Sequence, residues 1–161
     1  MQEVWKDIKG FEGRYQVSNL GRVRSLPFMQ RYLLRTGVEA FRQTAEKVLS
    51  QQPINSGYNI VHLYLGGVRK AMTVHTLVAA AFIEGSGEVV NHIDGNKQNN
   101  AASNLAWCSY RENLLHAVAT GLHPQAIKVR HPETGTVYDS ISQAAKQARV
   151  AHRTAARWAR V

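Results

Sequence analysis

Residues 89–117, "VVNHIDGNKQNNAASNLAWCSYRENLLHA", decide the fold of this chain. The stretch holds two histidines and an unusual number of asparagines, namely Asn91, Asn96, Asn99, Asn100, Asn104 and Asn113. Asparagine is unfavourable inside helices and strands, because its amide competes for backbone hydrogen bonds. The stretch is therefore either a long loop with many turns or a site in which the side-chain amides bind a ligand or another side chain.

The residues around the asparagines predict a strand, a turn, a second strand and a helix. "VVNHI" and "NLAWCS" are short apolar runs on either side of "DGNKQNN", whose Asp, Gly and Asn residues are typical of turns. In "SYRENLLHAVATG", Ser109 can cap a helix, Glu112 completes a capping box and Gly121 ends the helix. This order places His92 at the end of the first strand and Asn113 on the helix.

His92 is the candidate for acid–base chemistry in this stretch. A histidine that accepts a proton at neutral pH is the usual general base for activating water. Such a base needs a partner on its other ring nitrogen, and Asn104, which opens the second strand, could supply an amide carbonyl. A hard divalent cation takes oxygen ligands, and the amides of Asn91 and Asn113 could provide two of them.

The other polar residues of this region have simpler expected roles. Asn96, Asn99 and Asn100 are expected to be turn and cap residues. His116 lies one helical turn beyond the last asparagine, so it either reaches a phosphate from the same helix face or lies on the helix surface. His75 opens the apolar helix "VHTLVAAAF", and we expect it to be structural.

The composition favours a polyanionic partner. Of the 161 residues, 20 are Lys or Arg and 11 are Asp or Glu, which gives a net charge of +9. Nucleic acid is the commonest partner of so basic a small domain, the alternative being a solubilising surface. There is no apolar run long enough to cross a bilayer and no signal peptide, so we expect no membrane partner and a cytoplasmic protein. The single cysteine, Cys108, excludes an internal disulfide framework and a CxxC zinc site.

The N-terminal part of the chain is predicted to form short antiparallel strands. "RYQVSNLGRVRSL" alternates apolar and polar residues around a turn, which places Arg22 and Arg24 on one face. These arginines either contact the phosphates of a nucleic acid or are exposed to solvent. "NIVHLYLGGVRKAMTVH" is typical of a hairpin with two glycines at its turn. Residues 28–47 show no clear period and form an insertion or a mobile arm.

The C-terminal part is predicted to form a hairpin followed by two short helices. "IKVRHPETGTVYDS" is typical of a strand, a turn and a strand, and a break near Arg149 would give a helix–turn–helix shape. The second helix, expected from about His152, carries Arg153, Arg157 and Arg160 on one side. That arrangement fits either contact with the backbone of DNA or entry into a groove.

The Asn-rich stretch resembles the ββα-metal core of the HNH nucleases, in the form found in phage and intron homing endonucleases. "EVWKDIKGFEGRYQVSNLGRVRSL" is similar to the nuclease-associated module at the N-terminus of these enzymes. "YDSISQAAKQARVAHRTAARWAR" resembles their helical DNA-binding repeat more weakly. Together these matches cover most of the chain except roughly residues 27–49.

The resemblance implies an α+β protein in three parts. These are a small N-terminal antiparallel β module (residues 1–70), the ββα-metal HNH core (71–122), and a C-terminal β-hairpin with short helices in a helix–turn–helix-like arrangement (123–161).

The resemblance also implies a role for each site residue. The general base falls on His92, its orienting residue on Asn104, and the metal ligands on Asn91 and Asn113. The expected cofactor is one divalent ion per site, Mg²⁺ or Mn²⁺, with no small-molecule cofactor. The family frequently has Asp before the catalytic histidine, so the neutral Asn91 should hold the cation more weakly.

The function expected from the resemblance is metal-dependent hydrolysis of phosphodiester bonds in double-stranded DNA. One site per chain would cut one strand, as a site-specific nickase of homing type encoded by a bacterium or a phage. The first alternative is a DNA-binding protein with an inactive or weakly active core. The second is an RNA- or protein-binding module that uses only its basic surface. The target sequence, the choice between monomer and dimer, and the biological role stay open.

Overall fold

The computed structural model describes residues 2–123 and 127–161, which form two compact units, Met1–Cys108 and Ser109–Val161. These units differ from the three segments that we expected from the sequence, and the three segments stay a prediction about sequence modules. Pro124, near which the third segment would start, lies outside the described residues. None of the helices in the described part of the chain is long and apolar enough to cross a membrane.

The first unit is built from antiparallel strands and one α-helix. In chain order its strands are β1 (Trp5–Asp7), β2 (Tyr15–Ser18), β3 (Val23–Ser25), β4 (Met29–Leu33), β5 (Glu39–Gln43), β6 (Lys47–Val48), β7 (Gln52–Pro53), β8 (Asn59–Leu65), β9 (Val68–Thr73), β10 (Val89–His92) and β11 (Leu105–Cys108). The helix α1 (Val74–Phe82) follows β9, and a single 3₁₀ turn (Ala102–Asn104) precedes β11. The strands form the sheets β1-β2-β3-β6 and β7-β8-β9 and the two-stranded ribbons β4-β5 and β10-β11.

The core of the first unit joins these sheets to the helix. Val17 and Val23 from the first sheet, Leu63 from β8 and Val78 from α1 are fully buried and belong to one apolar cluster. The predicted hairpin is confirmed, because Gly66 and Gly67 join β8 to β9. Both have positive φ, 57° and 80°, as such a turn requires. The helix predicted from "VHTLVAAAF" is also confirmed.

The second unit has its own small core. Its elements are the helices α2 (Tyr110–Ala119), α3 (Ile141–Gln147) and α4 (His152–Ala155) and the sheet of β13 (Val137–Tyr138), β12 (Val129–Arg130) and β14 (Ala159–Arg160). The buried residues that pack together are Val129, Ile141, Ala144 and Ala155. The predicted capping box of Ser109 and Glu112 is confirmed at the start of α2.

The prediction that the last helix carries three arginines on one side is wrong. The helix α4 ends at Ala155, so only Arg153 lies on it. Arg160 lies in β14 and pairs with Val129. The physical reason is Trp158, whose ring packs 4.5 Å from the ring of His131 and 5.9 Å from that of Tyr138 and turns the chain back towards the sheet. The α+β class is confirmed.

Candidate active site

His92 ends β10 on the buried side of the β10-β11 ribbon. It pairs with Leu105 across the ribbon, and both residues are buried. Burial alternates along β10, so Val90 and His92 share the core face while Asn91 is half-buried. Only 5% of the His92 surface is exposed. The strand therefore holds the predicted base rigidly against the first unit.

A buried amide fixes the protonation pattern of the His92 ring. The Nε2 atom of His92 lies 3.1 Å from Oδ1 of Asn100, which is itself buried. The Nδ2 atom of Asn100 donates to the Gln98 carbonyl at 3.3 Å, which sets the direction of the amide. Nε2 therefore donates and Nδ1 is the unprotonated nitrogen. Nδ1 has no partner among the described residues and is not one of their buried unpaired atoms, so it reaches solvent.

Two further rings pack against His92. The ring centroid of Tyr58 lies 5.9 Å from that of His92 in a stacked arrangement, and the ring of His75 lies 5.2 Å away, edge to face. Tyr58 and His75 are also in contact, at 4.6 Å. Burial, and secondarily the nearby His92, lower the pKa of His75 to about 4. His75 is therefore uncharged at neutral pH and adds no positive charge beside the base.

Asn104 closes the loop instead of contacting His92. Its Oδ1 accepts a hydrogen bond from the Asp94 backbone N–H at 3.0 Å, and its Nδ2 donates to an Asp94 carboxylate oxygen at 2.8 Å and to the Asn99 carbonyl at 2.9 Å. The hydrogen bond that we expected from Asn104 to His92 is made by Asn100. The register explains this difference, because His92 faces Leu105 and the preceding Asn104 lies beyond the end of the strand.

The Asp94 side chain forms its hydrogen bonds within the same loop. Its carboxylate accepts hydrogen bonds from the side chains of Asn99 and Asn104 and from the backbone N–H of Asn96. These hydrogen bonds, led by the one from Asn99, lower the pKa of Asp94 below its ordinary value. Asp94 thus stabilises the turn, and hydrogen bonds within the loop hold the segment that carries Asn100.

The N-terminal sheet supports this loop directly. The Asn19 carbonyl accepts a hydrogen bond from the Ala102 N–H at 2.8 Å. Gly21 lies so close to Asn100 that a Cβ atom at position 21 would be 2.9 Å from the Asn100 Cβ and carbonyl oxygen. The turn between β2 and β3 therefore packs against Asn100, the residue that forms a hydrogen bond with His92.

A second contact ties the loop to the turn before β8. Lys97 donates to the Ser56 carbonyl at 2.9 Å, and Gln98 donates to the Gly57 carbonyl at 2.6 Å. The Lys97 ammonium also lies 4.7 Å from the centre of the Tyr58 ring. The loop and the aromatic ring beside His92 are thus fixed together.

The possible metal ligands are neutral amides. Asn91 is half-buried next to His92 in sequence, and its amide has no hydrogen-bond partner among the described residues, so its oxygen is free to bind a cation. Asn113 is half-buried on α2, in the second unit. Within the described ranges, no group of three His, Cys, Asp or Glu side chains is placed to hold a metal. Amide oxygens fit a hard ion that keeps water or phosphate as its other ligands.

The N-terminal arginines lie on one face, as predicted. Arg22 and Arg24 both approach the Trp5 ring, at 5.8 and 4.3 Å from its centre. Arg22 forms an ion pair with Glu3, and Arg24 bonds Gln16 and Glu46.

The other candidate nucleic-acid contacts lie in the second unit. His116 is half-buried in the last turn of α2, and Arg157 is exposed just after α4. Arg153 and Arg160 are also exposed.

Three residues of the site were not assigned to it from the sequence. Asn100 was expected to be a turn residue, His75 to be structural, and Tyr58 received no role. Tyr58 precedes the Asn-rich stretch by more than thirty residues, and nothing local links it to His92. For Asn100, burial among exposed asparagines is the deciding property, and burial is not visible in the residue type.

Comparison with known proteins finds two family models that match this chain. Residues 3–64 match the NUMOD4 motif and residues 73–115 match the HNH endonuclease family. A solved structure on DNA binding and cleavage by the HNH homing endonuclease I-HmuI is 33% identical in sequence. It covers 94% of this chain and 86% of its own chain, with a TM-score of 0.59.

The chain belongs to the HNH homing endonucleases.

Relatives of this HNH protein are found in viruses of different hosts. The DNA endonuclease I-HmuI of Bacillus phage SP01 is 41% identical over 119 residues, which are 73% of this chain and 59% of the relative. The uncharacterized HNH endonuclease L245 of Acanthamoeba polyphaga mimivirus is 34% identical over 122 residues, which are 72% of this chain and 37% of the relative. The chain therefore spans less than two thirds of the length of these relatives.

Proposed function

We propose that this chain is a metal-dependent DNA endonuclease that hydrolyses phosphodiester bonds and cuts one strand per site. The observation that carries the proposal is the hydrogen bond from His92 Nε2 to Asn100, which leaves Nδ1 unprotonated and open to solvent. A binding module has no need of a buried histidine held in one tautomer. Membership of the HNH family and the basic charge of +9 support DNA as the substrate.

In this mechanism His92 Nδ1 removes a proton from water, which attacks the phosphorus atom in line with the leaving 3′ oxygen. Asn100 keeps the ring in the reactive tautomer and stabilises the imidazolium that forms. The rings of Tyr58 and His75 prevent the imidazole from rotating away. Asn104 is a positioning residue, because it closes the loop that carries Asn100.

A bound divalent cation, Mg²⁺ or Mn²⁺, supplies a Lewis acid for the charge that develops on the phosphate. We propose Asn91 and Asn113 as residues that hold it. For Asn91 the proposal is supported by an amide that is half-buried and has no partner among the described residues. For Asn113 it rests on the resemblance of the sequence alone.

Phosphate contacts are proposed for the exposed basic residues. The Arg22 side chain is 54% exposed, against 22% for Arg24, and it would have to exchange its two hydrogen bonds to Glu3 for a phosphate. Arg153, Arg157 and Arg160 supply basic side chains in the second unit, and His116 is a further candidate on α2. These contacts would position the duplex without reading its sequence.

Incubation of supercoiled plasmid with the protein and Mg²⁺ or Mn²⁺ tests the proposal, with His92→Ala as the comparison. We expect the wild type to give nicked circles and His92→Ala to lose roughly 10²- to 10⁴-fold in rate, the usual contribution of a general base. Absence of nicking with any divalent ion would refute the enzyme proposal. Full activity in His92→Ala would refute the assignment of the base.

A DNA-binding protein with a weakly active core is the second candidate, and the neutral Asn91 favours it. Asn91→Asp distinguishes the two, because a carboxylate binds Mg²⁺ more tightly than an amide does. We expect the variant to reach half-maximal nicking at a lower Mg²⁺ concentration than the wild type. Ser103→Asp, which adds the same charge at an exposed loop position, is the control. An unchanged Mg²⁺ requirement would contradict Asn91 as a ligand.

A further inference from the structure

The two ring nitrogens of His75 have different surroundings. Only 8% of the residue is exposed, and its Nδ1 atom is buried without a hydrogen-bond partner among the described residues. Nε2 also has no partner in the described ranges, yet it is not one of their buried unpaired atoms. The ring therefore turns its Nδ1 edge into the protein and leaves Nε2 open to solvent.

The position of the proton on this ring follows from that difference. Burial, and secondarily the nearby His92, lower the pKa of His75 to about 4, so the imidazole carries a single N–H proton at neutral pH. A buried N–H group without an acceptor is rarer in proteins than a buried acceptor without a donor. Nδ1 is therefore the unprotonated nitrogen, and the N–H group at Nε2 can donate to a molecule outside the core.

The open edge of His75 lies beside the proposed base. The ring centroids of His75 and His92 are 5.2 Å apart, and the rings meet edge to face. The open nitrogen of His92 accepts a proton and that of His75 donates a hydrogen bond, so the two nitrogens are complementary. Because each hydrogen bond adds about 2.8 Å, rings at this separation leave room for a water molecule on one nitrogen and a phosphate oxygen on the other.

Packing holds the His75 ring in this orientation. His75 lies in the first turn of α1, where its neighbours Val74 and Leu77 are buried in the core. The ring of Tyr58 packs against it with the centroids 4.6 Å apart, and the Lys97 ammonium lies 4.7 Å from the centre of the Tyr58 ring. A donor that is held in place before the reaction stabilises developing charge without a cost of reorganisation.

A neutral donor suits a site whose base becomes charged. His92 acquires a positive charge when it takes a proton from water, and a second cation with its ring centroid 5.2 Å away would oppose that charge. Neutral His75 does not oppose it. A neutral imidazole still polarises an oxygen atom through its N–H group.

We propose that His75 is a catalytic residue whose Nε2–H group donates a hydrogen bond to a non-bridging oxygen of the phosphate that is cut. This inference rests on the proposed function, since it takes a phosphodiester as the substrate. Negative charge grows on the non-bridging oxygens as water attacks the phosphorus atom, and the hydrogen bond stabilises that charge. His75 keeps its proton throughout, so it acts as a donor and His92 acts as the base.

Two substitutions at position 75 separate hydrogen-bond donation from packing. His75→Gln places a neutral amide N–H group close to the position of Nε2 but removes the aromatic ring, whereas His75→Phe keeps an aromatic ring and has no donor. Nicking of supercoiled plasmid by the full chain is measured at neutral pH with saturating Mg²⁺, giving kcat and KM separately. His152→Phe, at an exposed position of the second unit, is the matched control. Thermal unfolding establishes that the variants fold at the assay temperature.

We expect His75→Phe to lose roughly 10²-fold in kcat, the usual effect of removing one donor of this kind. KM should stay near the wild-type value, because the donor acts on charge that develops only in the transition state. His75→Gln should nick faster than His75→Phe, since it retains an N–H group. The control variant should nick at the wild-type rate.

Three results would overturn the inference. If the wild type nicks DNA and His75→Phe does so equally fast, His75 donates no hydrogen bond in the reaction and the proposed function stands. If His75→Phe is as fast as His75→Gln or faster, while both are slower than the wild type, His75 contributes through packing beside His92 and again the proposed function stands. If the wild type does not nick DNA, the proposed function fails and this inference fails with it.

Discussion

At the scale of single residues, the site depends on how neutral groups orient one imidazole. Asn100 accepts from Nε2 of His92 and, as a neutral amide, competes for no proton. His75 stays neutral beside it because burial opposes its protonation. Asn104 does not contact His92 and instead donates a hydrogen bond to the Asn99 carbonyl in the loop that carries Asn100.

Asn100→Ala should slow nicking at least about 10-fold, though less than loss of the base itself, whose contribution is roughly 10²- to 10⁴-fold. The physical reason is that Nε2 loses its acceptor and the ring is free to adopt the other tautomer. Steady-state nicking rates across pH provide the measurement. Asn96→Ala, at an exposed position of the same loop, is the control and should keep nearly full activity. Equal rates for the two variants would contradict the role of Asn100.

The lowered pKa of His75 predicts that the free energy of unfolding depends on pH. Its folded-state pKa of about 4 lies below the unfolded value of 6.5, so the unfolded chain binds the proton more readily and acid favours unfolding. The free energy of unfolding should fall by about 2 kcal/mol as pH drops from 6.5 to 4.5. The carboxylates with lowered pKa values titrate mainly below this window.

Urea unfolding of His75→Phe measures this effect. The variant should lose the slope between pH 6.5 and 4.5, whereas His152→Phe, at an exposed position, should keep it. A slope that persists unchanged in His75→Phe would show that another group is responsible.

At the scale of elements, the turn between β2 and β3 supports the loop of the candidate site. It faces Asn100 through Gly21 and receives the Ala102 N–H through the Asn19 carbonyl. The NUMOD4 match contains the turn and the HNH match contains the loop, yet the two pack as one unit. The N-terminal module therefore packs directly against the loop that carries Asn100.

Gly21→Ala tests this support, with Gly10→Ala as a matched control. Both glycines have similar positive φ values, 83° and 81°, but a Cβ at Gly10 meets nothing within 4 Å. We expect each variant to lose about 1 kcal/mol from backbone strain. Gly21→Ala should lose more stability and also nick more slowly, because the new methyl group displaces Asn100. Equal stability and activity in the two variants would argue against the contact.

At the scale of the whole molecule, the chain has two separate apolar cores, one in each compact unit. Val78 is fully buried in the first core and Val129 in the second. These two valines therefore belong to different clusters of buried side chains.

Val78→Ala and Val129→Ala should accordingly act on different unfolding events. Each removes buried methyl groups, and we expect a loss of about 2 kcal/mol in its own unit. Hydrogen exchange in each unit, followed by mass spectrometry, provides the measurement. Faster exchange should be confined to the unit that ends at Cys108 in the first variant and to the unit that begins at Ser109 in the second. Uniform acceleration in both would contradict independent cores.

Much of the fold was predictable because its signals are local. Apolar alternation, paired glycines and a capping box each depend on neighbouring residues, and the structure confirms the β8-β9 hairpin, α1 and α2. The end of the last helix was not predictable in the same way. It depends on Trp158 packing against residues twenty or more positions earlier, and this contact overrides the helical pattern of the arginines.

The sequence by itself determined the class of protein and singled out His92 as the proposed base, because residue types at fixed spacing in one continuous stretch are enough to specify a strand, a loop, a strand and a helix around His92. Only the tertiary structure decided which asparagine forms a hydrogen bond with His92. The six asparagines of residues 89–117 are chemically identical, and what distinguishes Asn100 is its close approach to Gly21 and its hydrogen bond with Nε2 of His92. Those properties arise from chain segments far away in sequence, so no local pattern encodes them.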